Sequence, residues 1–157
     1  MNSKIQWQWI EFSKLSASQM EAMYQLRQDV FIVEQECFYL DIDGLDDQAI
    51  HLLGWADNRL VATLRLFEDY PDYQSKKGES RASLGRICTH KDFRTDGYGK
   101  ELLVRAIDYI AQNFAQKSIK IGAQLYLKRF YENFGFKQVS DIYKEDGIDH
   151  IHMLLEY

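Results

Sequence analysis

One segment past the middle of the chain limits the folds that this sequence can adopt. Residues 84–90 have the apolar composition of a strand, and residues 97–114 carry apolar side chains at helical spacing. Between them, Arg94, Gly97 and Gly99 form the pattern R-x-x-G-x-G. Glycines at a strand-to-helix turn let the backbone bend tightly and approach a ligand. The segment therefore predicts an α/β or α+β domain with an anion site at the start of a helix.

The physical basis of that anion site is the helix N-terminus. The first four N–H groups of a helix have no acceptor inside the helix, and the helix dipole adds about half a positive charge there. A pyrophosphate can bind to such a turn. The pattern has one glycine too few for a Rossmann fingerprint and lacks the Gly-Lys-Ser/Thr of a P-loop, so neither is indicated. The alternative interpretation is a glycine-containing helix start without a ligand.

Strand and helix signals alternate along the rest of the chain. Ser16 and Gln19 have the spacing of a capping box, Asp57-Asn58 is a hairpin signal, and Gly135 is a typical helix end. The predicted order is β-α-β-β-β-α-β-α-β-β, a mixed central sheet flanked by helices in a single domain over residues 1–157. The predicted strands are 4–12, 51–56, 59–67, 84–90, 118–123, 137–143 and 150–155, the helices are 16–33, 97–114 and 126–134, and residues 69–81 are a polar loop.

Composition excludes several classes of protein. The 157 residues suffice for one domain with a real core, and a formal net charge of −5 argues against a general nucleic-acid binder. Apolar runs are too short to span a membrane, and Met1 to Trp7 lack the apolar core of a signal peptide. Cys37 and Cys88 have no paired or metal-binding spacing. We therefore expect a cytoplasmic protein with free thiols, no membrane contact and no nucleic-acid partner.

Charge is unevenly distributed along the sequence. Residues 28–58 contain eight acids and no lysine or arginine, whereas residues 76–105 contain eight bases and four acids. Two solvated surfaces would explain this pattern. The more specific interpretation is a site for a cationic group beside a site for an anionic one.

Three sequence motifs carry a family resemblance. Residues 94–99 resemble the acyl-CoA motif Q/R-x-x-G-x-G/A of the GNAT superfamily of N-acetyltransferases. Residues 127–136, with Tyr131 and Gly135, resemble the helix of the same superfamily that ends in L-Y-x-x-x-G-F. More narrowly, the segments 26–37, 41–43 and 145–153 are similar to the ElaA subgroup.

The resemblance implies that acetyl-CoA lies in an opening between the strands 84–90 and 118–123. Backbone groups of residues 87–89 would pair with the pantetheine amides, and the turn 94–100 would hold the pyrophosphate. The superfamily often has asparagine where this chain has Gln124, whose longer amide would have to make that contact. The implied binding residues are Ile87, Cys88, Thr89, Arg94, Thr95, Asp96, Gly97, Tyr98, Gly99, Lys100 and Gln124.

The resemblance also places a general acid at Tyr131. A phenol with a pKa near 10 can protonate a leaving thiolate with a pKa near 8.5 across a short hydrogen bond. The alternatives are that Tyr131 is only a core aromatic and that Tyr126 is the acid. The N–H of Cys88 would hold the oxyanion.

The general base stays open at this point, with three candidates among the ionisable side chains. They are Glu34, His90 and His150. His150 and His152 share a strand face, but no third ligand is evident, so we expect no metal.

The sequence thus predicts an enzyme that transfers the acetyl group of acetyl-CoA directly to a primary amine: a small amine, a polyamine or a lysine side chain. A cationic acceptor is the expected partner, and the protein is a monomer or a homodimer. One alternative is an acyltransferase similar to acyl-homoserine-lactone synthases, which the residues around Arg27 and Arg65 also resemble. The other is a CoA-binding module without turnover.

Overall fold

A computed structural model describes residues 4–70 and 80–157 of the chain and divides it into two compact units. The first unit comprises Met1–Leu66 and Arg86–Val104, and the second comprises Phe67–Gly85 and Arg105–Tyr157. Most of the polar loop predicted for residues 69–81 lies outside the described residues. Within the described ranges, no helix is long and apolar enough to cross a membrane.

The first sheet has four strands in the order β1-β2-β3-β4. The antiparallel hairpin of β2 and β3 turns through Asp57 and Asn58, whose φ angles of 48° and 64° are those of a two-residue type I′ turn. The sequence therefore predicted this hairpin correctly from its turn residues. The strands are β1 (Gln6–Glu11), β2 (Ile50–Ala56), β3 (Arg59–Phe67) and β4 (Ser83–Thr89).

The second sheet is built around β8, which pairs antiparallel with three other strands. A parallel bridge between Ala82 and Ile119 lies at the start of β5. The predicted strand 137–143 is wrong as a single element, because it forms β6 and β7 with a break between them. In that break the Ser140 hydroxyl accepts a hydrogen bond from His152 N at 2.8 Å, so a side chain replaces the partner strand. The strands are β5 (Ile119–Gln124), β6 (Lys137–Gln138), β7 (Tyr143–Glu145) and β8 (Ile148–Leu155).

Helices flank the strands in the predicted order, which confirms the α/β fold class. The capping box is present, with Gln19 N donating to Ser16 Oγ at 3.1 Å and Ser16 N donating to Gln19 Oε1 at 2.9 Å. The predicted helix 16–33 continues beyond Arg27 as a π-helical segment, Gln28–Glu34, which the sequence did not indicate. The α-helices are α1 (Ala17–Arg27), α2 (Tyr98–Asn113) and α3 (Lys128–Glu132).

Helix α3 ends in a left-handed glycine. Gly135 has φ +98°, its N–H donates to Glu132 O at 2.9 Å, and Phe136 N–H donates to Tyr131 O at 3.3 Å. This is a Schellman ending, which only glycine adopts without strain. It directs Phe136, which is 1% exposed, into the core of the second unit and fixes the end of the helix that carries Tyr131.

Candidate active site

The turn between β4 and α2 contains a left-handed glycine directly before the helix. A 3₁₀ helix, Lys91–Asp96, leads to Gly97, whose φ of +81° is left-handed. Glu101 N then donates to Gly97 O at 3.1 Å, so α2 begins directly after this glycine. A Cβ built at Gly99 would have no atom of the described chain within 4 Å, outside its chain neighbours and its own helix. The first turn of α2 therefore faces open space at Gly99.

Arg94, the first residue of the motif, is held by two partners in the first unit. Its Nη2 lies 2.6 Å from Glu34 Oε2, and its Nε donates to Thr89 O at 3.3 Å. The Arg94 side chain is 44% exposed. Glu34, a predicted candidate for the general base, is thus the ion-pair partner of the predicted phosphate ligand.

His90 and Tyr98 both contact residues in or next to the turn. Asp92 N–H donates to His90 Nδ1 at 3.2 Å, which caps the 3₁₀ helix, and Arg59 Nη2 lies 2.7 Å from His90 Nε2. The Tyr98 ring packs on Phe93, with centroids 6.4 Å apart. Both ring nitrogens of His90, a predicted candidate for the general base, thus have partners in the first unit.

Cys88 lies on β4, the last strand in the order of the first sheet. Its side chain is 5% exposed and packs in an apolar cluster with Met23 and Leu26. Burial raises the pKa of this thiol to about 12, so the thiol stays protonated. A protonated, buried thiol is a poor nucleophile, so the geometry gives no support to a nucleophilic role for this sulfur. The flanking residues Ile87 and Thr89 are half-buried.

The first unit also contains a largely buried cluster of alternating charge that sequence reasoning missed. Arg27 contacts Asp41 and Asp46 at 3.0 and 2.8 Å. Arg65 contacts Asp43 and Asp46 at 2.6 and 3.1 Å. Arg86, which has a left-handed φ of 51° within β4, contacts Asp41 and Asp43 at 2.8 and 3.3 Å. We call these six residues the Arg-Asp cluster: Arg27, Arg65, Arg86, Asp41, Asp43 and Asp46.

The Arg-Asp cluster changes the interpretation of the acidic segment 28–58. Three of its eight acids are neutralised by these arginines, and a fourth, Glu34, is paired with Arg94. The raw charge of this segment therefore overstates the negative charge that is left for a cationic acceptor, because four of the eight acids are paired within the first unit. A signal existed in the sequence, because Arg27 lies among core positions of a helix and Arg65 interrupts an apolar strand. Arginine at such positions requires buried acids.

The Arg-Asp cluster makes the protein sensitive to acid. Burial alone would raise the pKa of Asp43 and Asp46, but hydrogen bonds from Arg65 and Arg27 hold both pKa values below the usual range. Burial lowers the pKa of His51 below its usual value. Each of these groups binds its proton more weakly in the folded state than in the unfolded state. Its contribution to the free energy of unfolding is therefore complete above its unfolded-state pKa and is lost as the pH falls toward its folded-state pKa.

We therefore expect the free energy of unfolding to fall first below about pH 6.5, where unfolded histidine takes up a proton, and more steeply below about pH 4. Urea denaturation at a series of pH values measures this. A His51→Gln variant should show a smaller first decline and an unchanged second one, because burial also lowers the pKa of His152, which keeps part of the first. A free energy of unfolding that stays constant from pH 7 to 3 would contradict the prediction.

Tyr131 lies on α3 in the second unit. It is 6% exposed, and its ring makes edge contacts with Phe130 and Phe136 at centroid distances of 5.2 and 5.9 Å. Burial raises its pKa above the usual range, so the phenol carries its proton at every working pH. The alternative acid, Tyr126, is 71% exposed.

Gln124 and His150 are opposite each other on β5 and β8. His150 is 8% exposed, its Nδ1 lies 2.8 Å from Ile148 O, and its Nε2 lies 3.4 Å from Glu145 Oε2. These contacts account for both ring nitrogens of His150. In the part of the chain that the structure describes, no three His, Cys, Asp or Glu side chains are grouped as metal ligands.

The fold, the glycine turn and the flanking strand and helix define an acyltransferase class. The family model described as an acetyltransferase (GNAT) domain matches residues 16–157, and the chain belongs to this family. The resemblance stated from the motifs is thereby confirmed.

Relatives of the chain agree with this assignment. Protein ElaA of Escherichia coli is 38% identical over 154 residues, 97% of each chain, and its crystal structure superposes with a TM-score of 0.86 over 98% of this chain and 100% of that one. A UPF0039 protein of Synechocystis is 40% identical over 96% of this chain and 95% of its own. The crystal structure of an acyl-CoA N-acyltransferase from Pseudomonas aeruginosa is 32% identical, with a TM-score of 0.87, and covers 97% of this chain and 99% of that one. The similarity to ElaA confirms the predicted subgroup.

Proposed function

We propose that this protein transfers the acetyl group of acetyl-CoA directly to a primary amine. The amine nitrogen attacks the thioester carbonyl, the C–N bond forms as the C–S bond breaks, and one proton passes from the amine to the medium while the CoA thiolate takes up another. The observation that carries the proposal is the open space at Gly99 in the first turn of α2, next to the exposed guanidinium of Arg94.

The first unit supplies the groups for the donor. Backbone N–H groups of residues 94–100 are assigned to the pyrophosphate, because a helix start offers donors and positive potential to an anion. Lys91 and Lys100, both exposed, add positive charge near the turn. The backbone of residues 87–89 is assigned to the pantetheine amides, and the N–H of Cys88 to the developing oxyanion.

In the second unit, Tyr131 is assigned as the general acid and Gln124 as a further ligand of the pantetheine. Glu34 and His150 already have firm partners, so we assign removal of the amine proton to ordered water rather than to either side chain. The acyl donor supplies an activated carbonyl, and the protein holds that carbonyl and protonates the leaving sulfur.

The glycine turn gives a prediction in which stability and binding change in opposite directions. Glycine inside a helix costs about 0.5–1 kcal/mol relative to alanine, and a methyl group fits at Gly99. Gly99→Ala should therefore raise the melting temperature by about 2 °C. The same methyl group would occupy the space assigned to the phosphates, so we expect affinity for acetyl-CoA, measured by calorimetry, to fall at least tenfold, about 1.4 kcal/mol.

Gly147→Ala is the matched control. Gly147 lies in the β7–β8 turn with φ +78° and free space around its Cβ position, so alanine there adds strain without touching the turn before α2. This variant should lose stability and bind acetyl-CoA like the wild type. A Gly99→Ala protein that is more stable but binds acetyl-CoA with unchanged affinity would show that this turn does not bind the phosphates.

A further inference from the structure

A pocket of about 630 Å³ lies in the first unit beside the Arg-Asp cluster. This volume lies within the range typical of sites for small molecules. One wall is the helical segment with Tyr24, Gln28 and Ile32, and the other is the chain from Phe38 to Ile42. The residues that line it are Tyr24, Gln28, Ile32, Phe38, Tyr39, Leu40, Asp41 and Ile42.

The walls of this pocket are aromatic and aliphatic. Phe38, Leu40 and Ile42 are 93%, 82% and 58% exposed, so apolar groups form an open rim that the described chain does not cover. Three apolar side chains within five residues of one loop exceed what scattered surface hydrophobes explain. A ligand that buries this rim would gain free energy in proportion to the apolar area removed from water.

The pocket offers no free charge to a polycation. Asp41 is its one ionisable acid, and both of its carboxylate oxygens contact arginines, Oδ2 with Arg27 and Oδ1 with Arg86. These two guanidinium groups also lie over the rings of Tyr24 and Tyr39, at 5.3 and 5.5 Å from the ring centroids. Burial raises the pKa of both phenols, so the tyrosines remain neutral. A second ammonium group entering here would lose hydration without gaining an unpaired carboxylate.

Two chain connections join this pocket to the groups assigned to the donor. Arg86, which lies over the Tyr39 ring, directly precedes residues 87–89 on β4. The helical segment that supplies Gln28 and Ile32 continues to Glu34, the ion-pair partner of Arg94. In the proposal, an amine whose substituent fills the pocket presents its nitrogen to the backbone assigned to the thioester end of acetyl-CoA. Apolar surroundings also favour the neutral, nucleophilic form of an amine.

We propose that this pocket selects the acceptor, and that the acceptor is a primary amine with an aryl or alkyl substituent rather than a polyamine. The inference rests on the proposed function and narrows its substrate class. It replaces the argument from the acidic segment with one from the apolar wall around Leu40 and Ile42.

Hexylamine and 1,6-diaminohexane test the proposal, because they differ chiefly in a second ammonium group at the far end. We expect kcat/KM with acetyl-CoA to be at least tenfold higher for hexylamine. Equal values, or a preference for the diamine, would overturn the inference while leaving the acetyltransferase function in place.

A double variant, Leu40→Asn/Ile42→Asn, locates the effect. Both side chains are mostly exposed, so the substitution should leave the fold intact. We expect KM for hexylamine to rise at least fivefold, while KM for acetyl-CoA and kcat/KM for methylamine, which has no substituent to fill the pocket, stay within twofold. Val139→Thr, at an exposed apolar residue outside the pocket, should change none of these values.

Two further outcomes keep the inference separate from the proposed function. If acetyl-CoA binds but no amine is acetylated, the proposed function fails. Calorimetric titration with hexylamine then tests whether the pocket binds an amine. No binding of hexylamine, or equal binding to the wild type and the double variant, overturns the inference. If wild type is a dimer in sedimentation and the double variant a monomer, with equal KM for hexylamine, the apolar rim is an interface between copies and the inference is also overturned.

Discussion

Replacement of Tyr131 by phenylalanine is expected to lower kcat by about 10²–10⁴-fold while the protein folds and binds acetyl-CoA within a few-fold of the wild type. The ring contacts with Phe130 and Phe136 do not involve the hydroxyl, so phenylalanine keeps the packing of α3. Only the proton for the leaving thiolate is removed. Steady-state kinetics with a saturating amine, together with calorimetry for acetyl-CoA, measure the two quantities.

Two controls separate acid catalysis by Tyr131 from packing. Tyr126→Phe, at the exposed neighbouring tyrosine, should leave kcat within threefold. An acyl donor whose thiol has a lower pKa should reduce the loss in Tyr131→Phe, because that thiolate needs its proton less. If kcat of Tyr131→Phe stays within threefold of wild type, or if the loss is the same for both donors, Tyr131 is a core aromatic and water or Tyr126 supplies the proton.

Arg27→Met is expected to destabilise the fold by about 3–5 kcal/mol, the usual result of removing one partner from a buried ion pair. Methionine fills much of the same space, but Asp41 and Asp46 lose a guanidinium that is 1% exposed. The free energy of unfolding of a typical domain is about 5–15 kcal/mol, so the variant should unfold at a far lower urea concentration than the wild type.

The matched control is Lys14→Met, which removes an ion pair with Glu11 whose side chains are 70% and 61% exposed. Exposed pairs contribute about 0–1 kcal/mol, so its urea midpoint should hardly move. A fall of less than 1 kcal/mol in the free energy of unfolding of Arg27→Met would show that Asp41 and Asp46 find other partners.

The sequence correctly predicted the caps and turns that are formed by residues close to one another in the chain. The capping box of Ser16 and Gln19, the turn at Asp57-Asn58 and the helix end at Gly135 each depend on residues within a few positions of one another. Their backbone angles and hydrogen bonds agree with expectation. The strand-turn-helix segment containing Gly97 and Gly99 could be recognised for the same reason, and it indicated both the fold and the anion site.

Features that depend on distant partners were not predictable in the same way. The ion pair of Arg94 with Glu34 joins residues 60 positions apart, and Arg86 reaches Asp43 across 43 positions. The residue counts give the number of these charges, but they do not show which of the charges neutralise one another. The pocket was missed for a related reason, because Phe38, Leu40 and Ile42 look like core anchors in a loop until their exposure is known.

Acetyl transfer itself is the most direct test of the account. Purified protein is mixed with acetyl-CoA labelled in the acetyl group and with hexylamine; free thiol is followed by a thiol reagent and the N-acetylated amine by mass spectrometry. The account predicts thiol and labelled amide in equal amounts, at a rate that depends on the amine and falls in Tyr131→Phe. Binding of acetyl-CoA without labelled amide across a panel of amines, with thiol released only at the rate of hydrolysis, would contradict it.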